Sequence, residues 1–373
     1  MKILHVFNEL KPSGGEAMML SAASVWLNSD KHSILSTGDQ VGIFSTTLEN
    51  AGYTILHLPF RKNLSFFREF GALVLKGDYD IIHLHPERAS VWQALAIRMF
   101  TSRTLPIVRT VHHLFRFDGR LRIQKILERQ VMKHVLRVKF LSNSPSGKRN
   151  EAKRFHMDNE LAPNWYDDRL FTPPSSEQRA AARKTLGWAP DTTVFISLGG
   201  NWAYKNYDLI VSALSRIPAA LDVIYAQVGL QGEGAPLESL ASETGVTHRL
   251  QCRGVVAETL PYLHAADAYL MPSSEEGFGV AAVEAMASGL PAILSDVEAL
   301  CDFRETVEGI HFIDPTPESI ATAMVKFVMM PGDQRIHLGT TQANTVKTHY
   351  GLASGPETYL QIWRTIISKQ THD

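Results

Sequence analysis

Short apolar runs alternate with longer stretches of helical period along the chain. Lys2–Phe7 reads as a strand, Pro12–Glu16 as a glycine-bearing loop and Ala17–Leu27 as an apolar helix. Further strands are expected at Ile34–Ser36, Thr54–Leu58, Ile81–Leu84, Ile107–Val111 and Val138–Ser142. The segments between them are long enough for crossover helices, which is the rhythm of a parallel sheet. The pattern breaks at Ala162–Asp168 and again at Pro173–Ser176, where proline, serine and aspartate gather. It restarts with a strand at Thr193–Leu198, the loop Gly199–Asn206 and a helix over Tyr207–Arg216. Strands at Asp222–Val228, Arg249–Arg253, Ala268–Met271 and Ala292–Ser295 then alternate with helices around Pro236–Thr244, Thr259–Ala265, Val280–Ser288 and Glu318–Val328. The expected class is α/β, with two doubly wound, Rossmann-like domains facing across a cleft, residues 1–168 and 169–373. In such sheets ligands sit beyond the carboxyl ends of the strands, so the loops after strands are where function is sought.

Length and composition agree with two domains. At 373 residues the chain is too long for one compact core, and 45% hydrophobic against 20% charged residues excludes disorder and fibrous architectures. Cys252 and Cys301 stand outside any metal-ligand or redox spacing and are expected to be buried as small apolar side chains, with neither disulfide nor zinc. Met1 runs directly into a strand and no apolar stretch is long enough to span a bilayer, so a cytoplasmic location is expected.

A formal net charge of -1 conceals an asymmetry: residues 1–172 carry +8 and residues 173–373 carry -9. Fifteen basic residues lie between Arg98 and Arg154 against three acidic ones, which suggests a face turned to something anionic. Within that stretch, Gly119–Arg137 reads as an amphipathic helix with Arg122, Lys125, Arg129, Lys133 and Arg137 along one stripe. Two readings of the stripe stand: a solvated helix packed on the first sheet, or a surface docked peripherally on an anionic membrane. Nucleic acid is not expected as a partner, because no interleaved aromatics or nucleic-acid motif accompany the stripe.

The most informative segment is Leu270–Asp296, which reads strand, loop, helix, turn, strand. Glu276 falls in the loop at the end of its strand, Gly277 and Gly279 permit close backbone approach, and a helix beginning near Val280 offers unpaired N–H groups to an anion. Glu284 lies just over one turn into that helix, placed to accept hydrogen bonds from a diol such as a ribose. Two glutamates eight positions apart mean little by spacing alone, and the frame around them carries the weight. That frame, Pro272 to Pro291, resembles the paired-glutamate motif of the retaining GT-B glycosyltransferases of glycosyltransferase family four.

Other stretches resemble the same family in the same order. The resemblance implies that Glu276 contacts the donor sugar, that Gly277, Phe278, Gly279 and Val280 line the donor site, and that Glu284 holds the ribose. It places Lys205 at the donor diphosphate, a point charge where other enzymes use a metal ion, so no metal and no cofactor is expected beyond the nucleotide-sugar substrate. Five residues before that lysine the family has arginine, whereas this chain has Gly200 followed by Asn201, and by position the resemblance puts both with Lys205 in the donor site. Gly14 and Gly15 resemble the family's glycine-rich loop, His112 in Thr110–Leu114 its donor-sugar histidine, and Arg253, Gly254 and Val255 the segment that meets the nucleobase through backbone groups. His83 and His85 share a strand face and could ligate a metal, but with no third ligand evident they are expected to pack and hydrogen-bond.

The resemblance further implies an N-terminal acceptor-binding and a C-terminal nucleotide-sugar-binding domain, with a last helix able to pack back on the first. Retaining transfer of a hexose from a UDP- or GDP-linked donor to a glycan or lipid-linked acceptor in cell-surface polysaccharide or glycolipid biosynthesis is the implied activity. A catalytically idle relative that binds nucleotide or acts as a scaffold is the alternative. A nicotinamide-dependent oxidoreductase is disfavoured because Pro12–Glu16 lacks the G-x-G-x-x-G fingerprint.

Overall fold

The computed structural model describes residues 1–101 and 104–370. Two compact units emerge, one formed by Met1–Trp165 with the segment from Leu352 and the other by Tyr166–Gly351. The crossing from one unit to the next thus falls at Trp165/Tyr166, three residues before the break read from the sequence.

In the first unit seven strands form one parallel sheet: β1 (Lys2–Phe7), β2 (Lys31–Ser36), β3 (Thr54–His57), β4 (Ile81–Leu84), β5 (Ile107–Val111), β6 (Val138–Ser142) and β7 (Glu160–Leu161), in the order β3-β2-β1-β4-β5-β6-β7. Nearly every residue of β1, β2, β4 and β5 is buried, as continuous apolar runs covered on both faces require. The helix Gly355–Gln370 completes this unit. Trp26 Nε1 donates to Pro356 O at 3.0 Å, and Trp363, fully buried, packs against Trp26 with ring centroids 5.0 Å apart.

The second unit carries β8 (Thr193–Leu198), β9 (Val223–Val228), β10 (Leu250–Cys252), β11 (Ala268–Met271), β12 (Ala292–Ser295) and β13 (His311–Ile313), parallel and in the order β10-β9-β8-β11-β12-β13. Each sheet therefore reverses direction of winding beside its first strand, between β1 and β4 and between β8 and β11. Those two switch points are where a crevice opens beyond the strand ends. The two cysteines are free and only half-buried. No helix among the described residues is long and apolar enough to cross a membrane.

The basic helix corrects the sequence reading. It runs as an α-helix over Gly119–Gln130 and continues as a π-turn over Val131–Val135. Its orientation is inverted: Lys125 and Arg129 are buried, while Leu121, Ile123, Leu127, Val131 and Val135 are 46%, 60%, 60%, 43% and 60% exposed. The cause is a buried charge network that only the fold assembles. Arg129 Nε lies 2.8 Å from Glu151 Oε2 and its Nη1 3.2 Å from Glu87 Oε1. Lys125 Nζ lies 2.7 Å from Glu128, and Arg109 is paired with Glu87. Three cations meet three carboxylates, so Lys125 and Arg129 cannot face a membrane, and part of the apparent positive charge is spent internally. Arg122, half-buried, donates to Arg154 O at 3.3 Å, and Lys133 is likewise half-buried. Arg103, another of the fifteen basic residues, lies outside the described residues.

Candidate active site

In the second unit two loops meet at the β8/β11 switch point. Lys205 ends a single 3-10 turn, Ala203–Lys205, in the loop after β8, and Glu276 lies in the loop after β11. Asn206, in the left-handed region at φ 55°, donates from Nδ2 to Pro272 O at 2.9 Å, and Ser274 N–H donates to Tyr204 O at 2.8 Å. These bonds tie the loops together and set their side chains. Lys205 Nζ comes within 2.6 Å of Glu276 Oε1, which also accepts from Ser273 Oγ at 2.8 Å. The lysine and glutamate side chains are only 12% and 11% exposed, so the pair is shielded and strong but still reachable.

Beside this pair, Gly279 opens the helix Val280–Ala287. Its φ of +89° and the Leu300 methyl 2.9 Å from where a Cβ would stand both demand glycine. Val280 thereby supplies a first-turn N–H at a positive helix end. One turn on, Glu284 is partly buried, and no hydrogen bond or ion pair to its carboxylate is found among the described residues. Burial alone pushes its pKa up to about 8. A carboxyl held dry without a partner suits a ligand that donates hydrogen bonds. Gly277 is buried in the same turn, but the Phe278 side chain leaves the site, packing on Phe303 and Tyr350 with centroids 5.6 and 5.3 Å away.

Several other expected donor residues have different employment. Asn201 is buried and holds the loop: its N–H donates to Leu230 O, its carbonyl accepts from Gly234, and its Nδ2 donates to Ala235 O at 2.9 Å. It therefore shapes the loop. Gly200 is kept side-chain-free by Trp202, whose Nε1 lies 2.7 Å from the position of a Cβ. The indole occupies the space in which a longer side chain at 200 would begin, a neighbour effect two residues away that the motif alone did not reveal. The Arg253 guanidinium donates to Leu186 O at 3.1 Å and is bonded to Gln251, and its backbone N–H goes to Gln227 O, so these groups hold the turn in place. Gly254 at φ +64° and Val255, 75% exposed, leave an accessible backbone turn at the end of β10.

The first unit has its own cluster at the β1/β4 switch point. Gly14 and Gly15 form the first turn of the helix Gly14–Trp26, but the anion seat there is filled by the protein itself. The Glu16 carboxylate folds back to accept from Ser13 Oγ and, at 3.3 Å, from Lys11 N–H. Burial raises its pKa, partly offset by those bonds. A phosphate at Gly14 and Gly15 would have to displace it.

His112 stands just past the end of β5 and is partly exposed, with its backbone carbonyl held by Asn143 Nδ2 at 3.1 Å. Burial first, then the positive influence of His113 and Arg109, pushes its pKa down to about 3, so it is neutral near pH 7. Behind it lie His85, just past the end of β4, and His5 and His32, on β1 and β2, the last two of which sequence reasoning did not single out. Their positions are 27 to 80 residues apart, so only strand order brings them together. His83 turns instead to Thr110 Oγ1, 2.8 Å away.

His5, His83 and His85 each offer a ring nitrogen within 4.8 Å of the others, which supplies the third ligand missing from the sequence reading. The rings have other partners. His5 and His85 each use both ring nitrogens with other imidazoles, and His83 and His85 overlap with centroids 4.2 Å apart. A shallow concavity lined by Glu308, Met330, Asp333 and His337 involves none of the site residues.

Family models match stretches of both units. The family described as glycosyl transferases group 1 matches residues 178–342, and glycosyltransferase family 4 matches residues 45–170. A D-inositol 3-phosphate glycosyltransferase of Geodermatophilus obscurus is 28% identical over 273 residues, covering 66% of this chain and 59% of that protein. The mannosylfructose-phosphate synthase of Agrobacterium fabrum is 30% identical over 188 residues, 47% of this chain and 40% of its own. The chain thus spans about two-fifths to three-fifths of the length of these curated relatives. Among solved structures, a glycosyltransferase from Rickettsia africae superposes with a TM-score of 0.83 at 17% identity over 98% of both chains. Anabaena HepE in complex with UDP gives 0.82 at 18% identity over 98% of this chain and 100% of that one. At such identities the likeness shows the fold.

Proposed function

For this chain, which belongs to the GT-B glycosyltransferases of family 4, we propose retaining transfer of a sugar from a nucleotide-diphosphate donor to a hydroxyl of a glycan or lipid-linked acceptor. The observation that carries the proposal is the shielded Lys205–Glu276 pair at 2.6 Å beside the glycine-opened helix of Val280. A diphosphate entering this site takes Lys205 as its counter-charge and the Val280 N–H as a hydrogen-bond donor, which releases Glu276 towards the sugar. Glu284 accepts the ribose hydroxyls, and the exposed turn at Gly254–Val255 meets the base through its backbone. The leaving diphosphate is then stabilised by a lysine and a helix terminus, and the transfer needs no metal at that position. The relative named for mannosylfructose phosphate and the neighbour crystallised with UDP are consistent with a nucleotide-sugar donor.

A lipid-linked acceptor is favoured by the outer face of the helix Gly119–Gln130 and its π-turn. Leu121, Ile123, Leu127, Val131 and Val135 form an exposed apolar stripe, and Arg116, Arg120 and Arg137 are exposed near it. Apolar side chains that insert, flanked by arginines that meet anionic headgroups, suit peripheral attachment to the cytoplasmic leaflet.

The test is a panel of UDP-, GDP-, ADP- and TDP-sugars, read by thermal stabilisation and by donor turnover. One donor should raise the melting midpoint, and Lys205→Ala should cut turnover roughly a hundredfold. No stabilisation and no turnover with any donor would overturn the proposal in favour of an idle relative.

A further inference from the structure

Four imidazoles form an unbroken row through the first unit. His32 Nδ1 lies 3.0 Å from His5 Nε2, His5 Nδ1 lies 3.3 Å from His85 Nε2, and His85 Nδ1 lies 2.9 Å from His112 Nε2. Every link joins the Nδ1 of one ring to the Nε2 of the next. The rings cannot swivel out of register. His85 is clamped between Phe7, with centroids 4.1 Å apart and planes 17° apart, and His83 at 4.2 Å. His5 and His32 lie parallel to Trp26 at 5.6 and 5.2 Å, with planes 8° apart in both cases.

This repeating polarity couples the tautomers. A neutral imidazole has one N–H and one bare nitrogen, so a link is a hydrogen bond only when one side is protonated and the other is not. If His32 carries its proton on Nδ1, so must His5, then His85, then His112. The reverse state, with every proton on Nε2, satisfies the same three links, and every mixture leaves two lone pairs or two N–H groups facing each other. The inner end of the row decides between the two states. His32 Nε2 is buried with no hydrogen-bond partner among the described residues. In the first state that atom is a bare acceptor, whereas in the second it is an orphaned N–H, the rarer and more costly of the two.

We propose that this row fixes His112 as the neutral Nδ1–H tautomer, so that its outer nitrogen serves as a hydrogen-bond donor to an oxygen of the substrate sugar, and that His85 is the positioning residue that enforces this. The inference rests on the glycosyltransferase reading for the identity of the ligand, but not for the tautomer. No hydrogen bond to His112 Nδ1 is found among the described residues, and the ring is partly exposed, so that nitrogen is the outlet of the row. A second proton on His112 would put an N–H on Nε2 against the N–H of His85, so the geometry also keeps the ring uncharged. A residue that must donate without becoming a cation is thus specified from the far side of β1, by side chains that never touch the substrate.

The experiment uses the full chain labelled with nitrogen-15 at histidine, without ligand. Long-range proton–nitrogen correlation should show His32, His5, His85 and His112 all neutral at pH 7, each protonated on Nδ1 and bare on Nε2. An Nε2–H tautomer at His112, a mixture along the row, or a charged ring would overturn the proposal. His85→Phe keeps the stack between Phe7 and His83 but removes both links. In that variant His112 should show both tautomers and take up a proton at a higher pH, and turnover with the donor found above should fall roughly tenfold with the donor KM unchanged. A His112 spectrum unaltered by His85→Phe would overturn the positioning role, and the wild-type spectrum decides the tautomer even if the variant fails to fold. Should no nucleotide sugar turn over, the glycosyltransferase reading falls while that spectrum still decides the row.

Discussion

Replacing Glu284 by glutamine gives the most direct test of the donor site, because the effect can be worked out before any ligand is known. The carboxyl has an ordinary value of 4.5, and burial alone pushes it up to about 8. A raised acid keeps its proton in the native state at a pH where the unfolded chain has released it. Native protein then binds more protons than unfolded protein, and stability falls as pH rises through that window, from about 4.5 to about 8. Each pKa unit is worth about 1.4 kcal/mol, so between pH 5 and pH 7 the loss approaches ~2–3 kcal/mol, an upper figure given that the residue is only partly buried. Glutamine has the same shape and no proton to lose. Wild type and Glu284→Gln should therefore have similar stability at pH 5, and the variant should gain progressively at pH 6, 7 and 8. Hydrogen exchange read on peptides spanning Val280–Ala287, in urea at matched ionic strength, follows the second unit by itself. Curves that run parallel from pH 5 to pH 8 would show that the carboxyl is not held dry, and the argument for a waiting hydrogen-bond acceptor would go with it.

The remaining predictions concern the first unit. Arg129→Met leaves Glu151, fully buried, without its strongest partner and should cost about 3–5 kcal/mol of stability by urea unfolding, with much of that loss recovered by adding Glu151→Leu; an unchanged midpoint would mean that the network contributes nothing. Leu127→Glu alters a side chain that is 60% exposed, so stability should change by less than about 0.5 kcal/mol while sedimentation with anionic vesicles is lost. Binding of that variant equal to wild type would exclude the stripe as the attachment surface.

Much of the fold was legible because buried parallel strands announce themselves as continuous apolar runs: β1, β4, β5, β6, β8, β11 and β12 begin and end where the pattern places them. The two- and three-residue strands β7 and β13 carry too few side chains to show a period, and each is defined by its neighbour. The loop after β11 was legible for a different reason, since Gly279 and Glu284 lie close in sequence to Glu276 and depend on local backbone geometry. What stayed hidden was non-local. The partners of Arg129 and Lys125 include Glu87, 42 and 38 positions earlier, so a stripe of cations that looked solvated in isolation turns inward once β4 is beside it. His5 gave no signal because its meaning comes from His32 on the neighbouring strand β2 and from His85 just past the end of β4. Asn201 and Arg253 sit in loops that resemble binding loops, but the Asn201 amide and the Arg253 guanidinium each donate to a backbone carbonyl that no local pattern displays.

The first unit takes its last helix from the far end of the chain, and this fixes an order of events during synthesis. By the time Gly351 leaves the ribosome the whole of Tyr166–Gly351 is available to fold, domains generally forming as units as they emerge. The earlier unit then still lacks Tyr359 and Trp363, the aromatic rings that close over His83 and His5. The piece made first is consequently finished last, and a nascent chain halted before Gly355 would present a completed second unit together with a trough over β1 and β4 in which Trp26 and the imidazoles of His5 and His83 lie uncovered. Such a chain is a natural client for a ribosome-bound chaperone.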